Sequence, residues 1–290
     1  MAAAGPVPSF LYIGTSKAGS TWLYNALAGH PDVYLPVNKG LYYFDRHYDR
    51  GQDWYLGHFA GAGAQPARGE ISHSYLSSAQ APARIAALNP DLRLLVCLRE
   101  PVDRAFSDYL DLVKNGQFSG DFETALGRHP RLLERGRYAT HLSAYLEVFP
   151  RDQLCVQLFD DLRADPQGYA DQVHRFLEVS PRRLPPTDLQ ARMPAGVPRS
   201  RGLASAARSG SRIAKRVGLR RLRSRVKRSA GIRRALYRPY AGDRPVLDPV
   251  LRDRLRLELT EEVRLLDTLL GLPVSERWGY GTVRDDLPAG

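Results

Sequence analysis

The stretch Gly14-Thr15-Ser16-Lys17-Ala18-Gly19-Ser20-Thr21-Trp22 lies between an apolar run, Phe10-Leu11-Tyr12-Ile13, and a helical pattern that begins Leu23-Tyr24-Asn25-Ala26-Leu27. A strand, a turn of small residues and a helix start, in that order, build a cradle for an anion. The turn converges backbone N–H groups on one point. The helix N-terminus adds partial positive charge, and Ser20 and Thr21 add hydroxyl donors. Lys17 adds a full charge inside the turn. A nucleoside-triphosphate loop reads G-x-x-x-x-G-K-[ST], with lysine after the second glycine. Here Ser20 follows Gly19, and the lysine stands two places before that glycine. Lys17, Ala18, Gly19, Ser20 and Thr21 are therefore expected to hold phosphate in some other arrangement. Trp22 is placed either to stack on a base or to join the core.

A second segment points to the same sheet edge. Leu92-Arg93-Leu94-Leu95-Val96-Cys97-Leu98 is nearly continuous apolar chain, as in a parallel strand buried on both faces. It ends at Arg99-Glu100-Pro101, and Pro101 suits the first turn of a helix running to about Val113. Arg99 thus falls at the C-terminal end of a central strand, where open α/β sheets bind ligands. Ser107 follows about two turns into the helix.

Elsewhere strands and helices alternate. Asp32-Val33-Tyr34-Leu35 and Leu154 to Phe159 read as strands. Ala81 to Leu88, Tyr138 to Phe149, Asp165 to Leu177 and Asp248 to Leu270 read as helices, three of them with proline in the first turn. The pattern predicts one α/β domain over 1–290, with a central parallel sheet and helices on both faces.

The order Lys-x-Gly-[Ser/Thr]-Thr after the first strand, followed by strand-Arg-x-Pro-x-x-Arg-x-x-Ser-x-Tyr, resembles the family of sulfotransferases that use 3′-phosphoadenosine 5′-phosphosulfate (PAPS). The likeness is to bacterial members related to glycan and heparan sulfate sulfotransferases. It extends through His30-Pro31-Asp32-Val33, Tyr43-Phe44-Asp45, Trp54-Tyr55, Gly69-Glu70-Ile71-Ser72-His73-Ser74-Tyr75 (like their Glu-Lys-[Ser/Thr]-Pro-x-Tyr) and Phe159-Asp160-Asp161-Leu162. The resemblance implies a P-loop-like phosphosulfate loop in which Lys17 meets charge on the leaving phosphate. It also implies a 3′-phosphate held by Arg99 and Ser107, with Arg104 and Tyr109 completing the pattern. Tyr138 resembles an adenosine-side tyrosine, packing being its alternative. Arg199, in Pro198-Arg199-Ser200-Arg201-Gly202, resembles a late 3′-phosphate arginine.

The expected reaction moves a sulfuryl group from PAPS to a hydroxyl or amine of a small-molecule or glycan acceptor, with no metal and with release of 3′-phosphoadenosine 5′-phosphate (PAP). Such a reaction needs a proton acceptor for an ordinary hydroxyl. Relatives often place an acid after the lysine of Lys-[Glu/Asp]-x-x-Phe-Phe, but this chain reads Lys39-Gly40-Leu41-Tyr42-Tyr43-Phe44. Glu70 is the leading substitute. His73, which stands where relatives often carry proline, is a second, and Asp45 is expected to serve structure. Tyr42, Tyr43, Trp54 and Tyr55 suggest an aromatic-lined acceptor pocket.

Two other readings stay open: a nucleoside-triphosphate-dependent kinase, and a non-catalytic binding protein on a degenerate sulfotransferase fold. The kinase would want Gly-Lys-[Ser/Thr] and a strand-end acid for magnesium, where this chain has Arg99.

Charge adds a further constraint. The net charge of the 290 residues is +11, yet residues 192–238 hold 16 Arg and Lys and no acid. This basic segment reads as a mobile lid over an anionic cofactor, or as a peripheral patch for an anionic acceptor or membrane surface. Nucleic acid is not expected, because base-stacking aromatics are absent until Tyr237 and Tyr240. No apolar run reaches the ~20 residues of a membrane span. The N-terminus lacks a leader pattern, and Cys97 and Cys155 read as buried thiols without metal or redox spacing, so a cytoplasmic location is expected.

Overall fold

The computed structural model describes residues 5–189, 196–198, 237–239 and 245–280. Arg199 and most of the basic segment 192–238 lie outside the described residues. Five parallel strands form the main sheet: β1 (Phe10–Gly14), β2 (Val33–Tyr34), β3 (Ala67–Ile71), β4 (Arg93–Leu98) and β5 (Leu154–Leu158), in the order β2-β3-β1-β4-β5. The helices are α1 (Ser20–Ala28), α2 (Tyr43–Arg46), α3 (Gln52–Leu56), α4 (Ala81–Leu88), α5 (Pro101–Lys114), α6 (Phe122–Arg128) and α7 (Arg131–Glu134). After them come α8 (Tyr138–Leu146), α9 (Phe159–Ala164), α10 (Pro166–Phe176), α11 (Pro186–Leu189), α12 (Pro249–Leu270) and α13 (Val274–Arg277). A separate antiparallel pair, β6 (Gly196–Pro198) and β7 (Tyr237–Pro239), flanks the basic segment, and β6 lies beside α5.

Period-two alternation along the central strands divides the core into two layers. Leu11 and Ile13 of β1, with Leu94, Val96 and Leu98 of β4, join one layer with α5, α8 and α12. Phe10 and Tyr12, with Leu95 and Cys97, join the other with α1, α9 and α10. The expected parallel sheet with helices on both faces is present.

Local signals account for most boundaries. Glu100 caps α5 by accepting from the Asp103 N–H at 2.5 Å, with Pro101 at its first position. Asp165 caps α10 and Asp248 caps α12, while Gly271 ends α12 at φ 66°. Glu70 stands near the end of β3, a strand that the sequence reading did not include because Arg68 and Gly69 hide its pattern. Gly69 pairs with Phe10, and a Cβ there would strike the Phe10 carbonyl oxygen, so glycine is what lets β3 lie against β1.

Candidate active site

In this strand order, β1 has β3 on one side and β4 on the other, so the sheet reverses its winding at the C-terminal ends of β1 and β4. The two sequence motifs end there. The Thr15 N–H donates to the Cys97 carbonyl at 3.0 Å, which fastens the start of the loop to the end of β4. Lys17 (φ 65°) and Gly19 (φ 83°) take left-handed conformations and fold the loop back over α1. A side chain at Gly19 would run into Leu162. The N-terminus of α1 has no side-chain cap, so its first N–H groups are left for a ligand.

Arg99 reaches into the same loop. Its Nη1 donates to the Lys17 carbonyl at 3.2 Å, and its guanidinium lies 5.1 Å from the Phe159 ring centroid. Burial lowers its pKa from the usual arginine value. Tyr138 is fully buried, and its hydroxyl donates to the Arg99 carbonyl at 2.8 Å. It therefore positions the end of β4, in keeping with the packing alternative. Burial pushes its phenol well above the usual range.

The face of α5 toward the loop carries residues 104, 107, 108 and 111, at the spacing of one helical stripe. The Ser16 hydroxyl donates to Asp108 Oδ2 at 3.1 Å, Arg104 Nη1 donates to the same oxygen at 3.0 Å, and Lys17 Nζ lies 3.3 Å from Asp111 Oδ1. Ser107 sits on this stripe. Arg104 is completely buried and also donates to the Leu132 carbonyl, so it ties the loop to α5 and α7. Trp22 packs edge-on against Tyr169 at 5.5 Å between centroids, within the core layer of α1 and α10.

Glu70 is 1% exposed. Its Oε1 accepts from the Tyr75 hydroxyl at 2.5 Å, and its Oε2 accepts from the Ser72 hydroxyl at 3.1 Å and the Leu41 N–H at 3.2 Å. Burial raises its pKa to about 7 against the pull of those three donors. The carboxylate faces inward and fixes the 40–42 turn. Asp45 Oδ2 accepts from the Ser74 hydroxyl at 2.5 Å.

The 40–42 turn presents a different group. Gly40 has φ 77°, and a Cβ on it would lie 2.6 Å from Cε2 of Tyr42. Tyr42 (φ 53°) thus fills the space a side chain at position 40 would need. Tyr42 Oη and His73 Nε2 are 2.8 Å apart, while His73 Nδ1 is buried without a partner among the described residues. Burial, reinforced by Lys39 and opposed by Asp108, lowers the His73 pKa to about 4, so the ring is neutral near pH 7.

Of the aromatic residues expected to line a pocket, Tyr43 and Tyr55 are buried and stacked at 4.5 Å in the core. Tyr42 and Trp54 are part-exposed, under guanidinium groups of Arg46 (4.5 Å) and Arg50 (4.9 Å). One residue escaped the sequence reading. Lys39 Nζ donates to Ser20 Oγ at 2.9 Å and Thr21 Oγ1 at 2.7 Å. Burial and the nearby Lys17 lower its pKa to about 8. Its sequence signal was its place as the lysine of the Lys-[Glu/Asp]-x-x-Phe-Phe stretch, to which no role was attached.

Lys17, Lys39, Arg99, two hydroxyls and an uncapped helix start converge at one sheet edge. That donor set fits a nucleotide carrying separate phosphate groups. Among the described residues no cluster of three or more His, Cys, Asp or Glu could hold a metal ion. No described helix is long and apolar enough to cross a membrane. Burial raises the Cys97 thiol to about 12 and that of Cys155 to about 11, so neither is a ready nucleophile.

Comparison with known proteins agrees with this geometry. A mouse heparan sulfate glucosamine 3-O-sulfotransferase 6 is 33% identical over 187 residues, 60% of this chain and 54% of that protein. The human 3-O-sulfotransferase 3B1 is 34% identical over 180 residues, 59% of this chain and 46% of that protein. The chain therefore spans about half the length of the curated relatives it matches. A crystal structure of a sulfotransferase from Alicyclobacillus acidocaldarius shares the fold, with TM-score 0.70 and 24% identity over 94% of this chain and 99% of that one. The family model described as a sulfotransferase domain matches residues 8–193, and the chain belongs to the sulfotransferase family.

Proposed function

We propose that the chain transfers a sulfuryl group from PAPS to a hydroxyl of a glycan or small-molecule acceptor. The observation that carries this reading is the Arg99 Nη1 contact with the Lys17 carbonyl at 3.2 Å, which joins the two motifs at one sheet edge. When bound, PAPS supplies a sulfuryl group on a good leaving phosphate. The chain supplies position and positive charge. Lys17 and the α1 N–H groups face the phosphosulfate end, and Arg99 with Ser107 faces the 3′-phosphate.

The Tyr42–His73 pair is the best-supported proton acceptor. The acceptor proton passes to Tyr42 Oη as the phenolic proton passes to His73 Nε2, which is unprotonated near pH 7; burial works against the imidazolium, so the negative charge of the bound acceptor and donor must offset that cost. Glu70 is enclosed by its three donors and acts by holding Leu41 and the turn. The similarity to heparan sulfate 3-O-sulfotransferases supports a glycan acceptor. Arg46 and Arg135, which both act on Tyr42 and His73, support one bearing negative charge near the accepting hydroxyl.

The test is sulfuryl transfer from PAPS to N-sulfated heparan oligosaccharides and to a simple phenol, followed by mass spectrometry. His73→Ala and Tyr42→Phe are expected to lower turnover about 10²-fold while leaving PAP affinity within about threefold. Full turnover in both variants would return the base to Glu70. No transfer and no PAP binding by the wild-type chain would overturn the reading itself.

A further inference from the structure

Lys39 is a cation of the site with no counter-ion among the described residues. It lies in the irregular stretch between β2 and α2, and its ammonium is turned onto the first turn of α1. Both groups it touches are neutral hydroxyls, those of Ser20 and Thr21. Among the described residues no carboxylate forms an ion pair with it. Lys17 on the loop lowers its pKa, and Lys39 in turn lowers that of His73 after β3, whose ring is neutral near pH 7. Lys17 has its own counter-ion, Asp111. An ammonium withdrawn from water beside a second lysine, with no acid to balance it, is costly unless an anion arrives to complete the site. Two of its three N–H donors are used on hydroxyls that themselves have O–H groups to give. The third N–H and both hydroxyls remain for one ligand.

The pattern that the 69–75 stretch resembles has lysine after its glutamate. This chain has Ile71 there, buried in the core layer with α1.

Resting on the PAPS reading above, we propose that Lys39 is a second cation on the 5′-phosphosulfate, and that it couples donor capture to retention of its own proton. Only the protonated amine completes the site, and its pKa of about 8 in the free protein puts loss of that proton within reach of mild alkali. The sign follows from linkage. An anion bound against the ammonium raises its pKa, so binding takes up a proton once the solution passes about pH 8, and affinity falls as pH rises further.

Calorimetric titration of the full chain with PAP at pH 7, 8 and 9, in buffers of different ionisation heat, reads both affinity and proton uptake. Wild type is expected to lose about threefold in affinity between pH 8 and 9 while taking up roughly half a proton. Lys39→Met is expected to bind about tenfold more weakly at pH 7 and to lose the proton uptake. Lys39→Arg keeps a charge that does not titrate in this range; it should retain most of the affinity with a flat pH profile. Lys39→Met binding PAP within twofold of wild type, or wild type and Lys39→Arg sharing one pH profile, would overturn the proposal while leaving the PAPS reading intact. Wild type that binds no PAP at any pH would remove both.

Discussion

Lys17 Nζ sits 3.3 Å from Asp111 Oδ1, so α5 holds the loop lysine by an ion pair. Asp111 is half-exposed, and such pairs contribute about 0.2–1 kcal/mol. A phosphosulfate must displace this carboxylate. Asp111→Asn is therefore expected to tighten PAP binding about two- to fivefold at low salt, with the gain shrinking as salt screens the pair. Titrations at two ionic strengths check this. Weaker binding in the variant would mean that Asp111 orients Lys17 for its ligand.

Arg99 is expected to select for the 3′-phosphate. Arg99→Ala should weaken PAP by about one to two decades, the worth of a charge-assisted contact. It should leave adenosine 5′-phosphate nearly unchanged. Competitive titration of the two nucleotides separates the outcomes, and equal losses for both would move the 3′-phosphate elsewhere.

Glu70 makes stability depend on pH in an unusual direction. Its folded pKa is raised to about 7, whereas an unfolded carboxyl titrates near 4.3. Its contribution is fully present below the unfolded value and is lost as pH climbs through about 7, a change of roughly 3 kcal/mol. Denaturant unfolding of wild type and Glu70→Gln at pH 5 and pH 8 measures it. The stability difference between the two should move toward the glutamine variant at pH 8. A constant difference would show that the three donors hold the carboxylate ionised throughout.

Gly40→Ala should destabilise the fold by about 1–2 kcal/mol, because position 40 is left-handed, with a further cost from the Tyr42 ring. Tyr42→Ala should recover the second part only. Thermal melts of the two single variants and the double variant read the coupling.

The two motifs and the parallel sheet could be read from sequence because β1 and β4 are buried on both faces. Their continuous apolar runs ended at the residues that mattered, Lys17 and Arg99. The rest depended on long-range placement. Arg104 fitted a family pattern but proved to be a buried tie between the loop and α7, since burial of an arginine leaves no mark in spacing. Tyr43 and Tyr55 read as a pocket wall, yet their stacking turns them into the core. Lys39 was legible only as part of a family-like pattern and carried no role, because an irregular loop has no periodicity and only the closing of that loop over α1 gives it partners.

The close approach of Tyr42 to Gly40 bears on how this chain could have changed over time. A single substitution that returned a carboxylate to position 40 would meet an unfavourable backbone angle and an aromatic ring at once. Removing the ring first would strip His73 of its partner before any acid had replaced it. Each one-step path between the two arrangements crosses a less fit intermediate. A carboxylate at position 40 therefore needs both positions to change together.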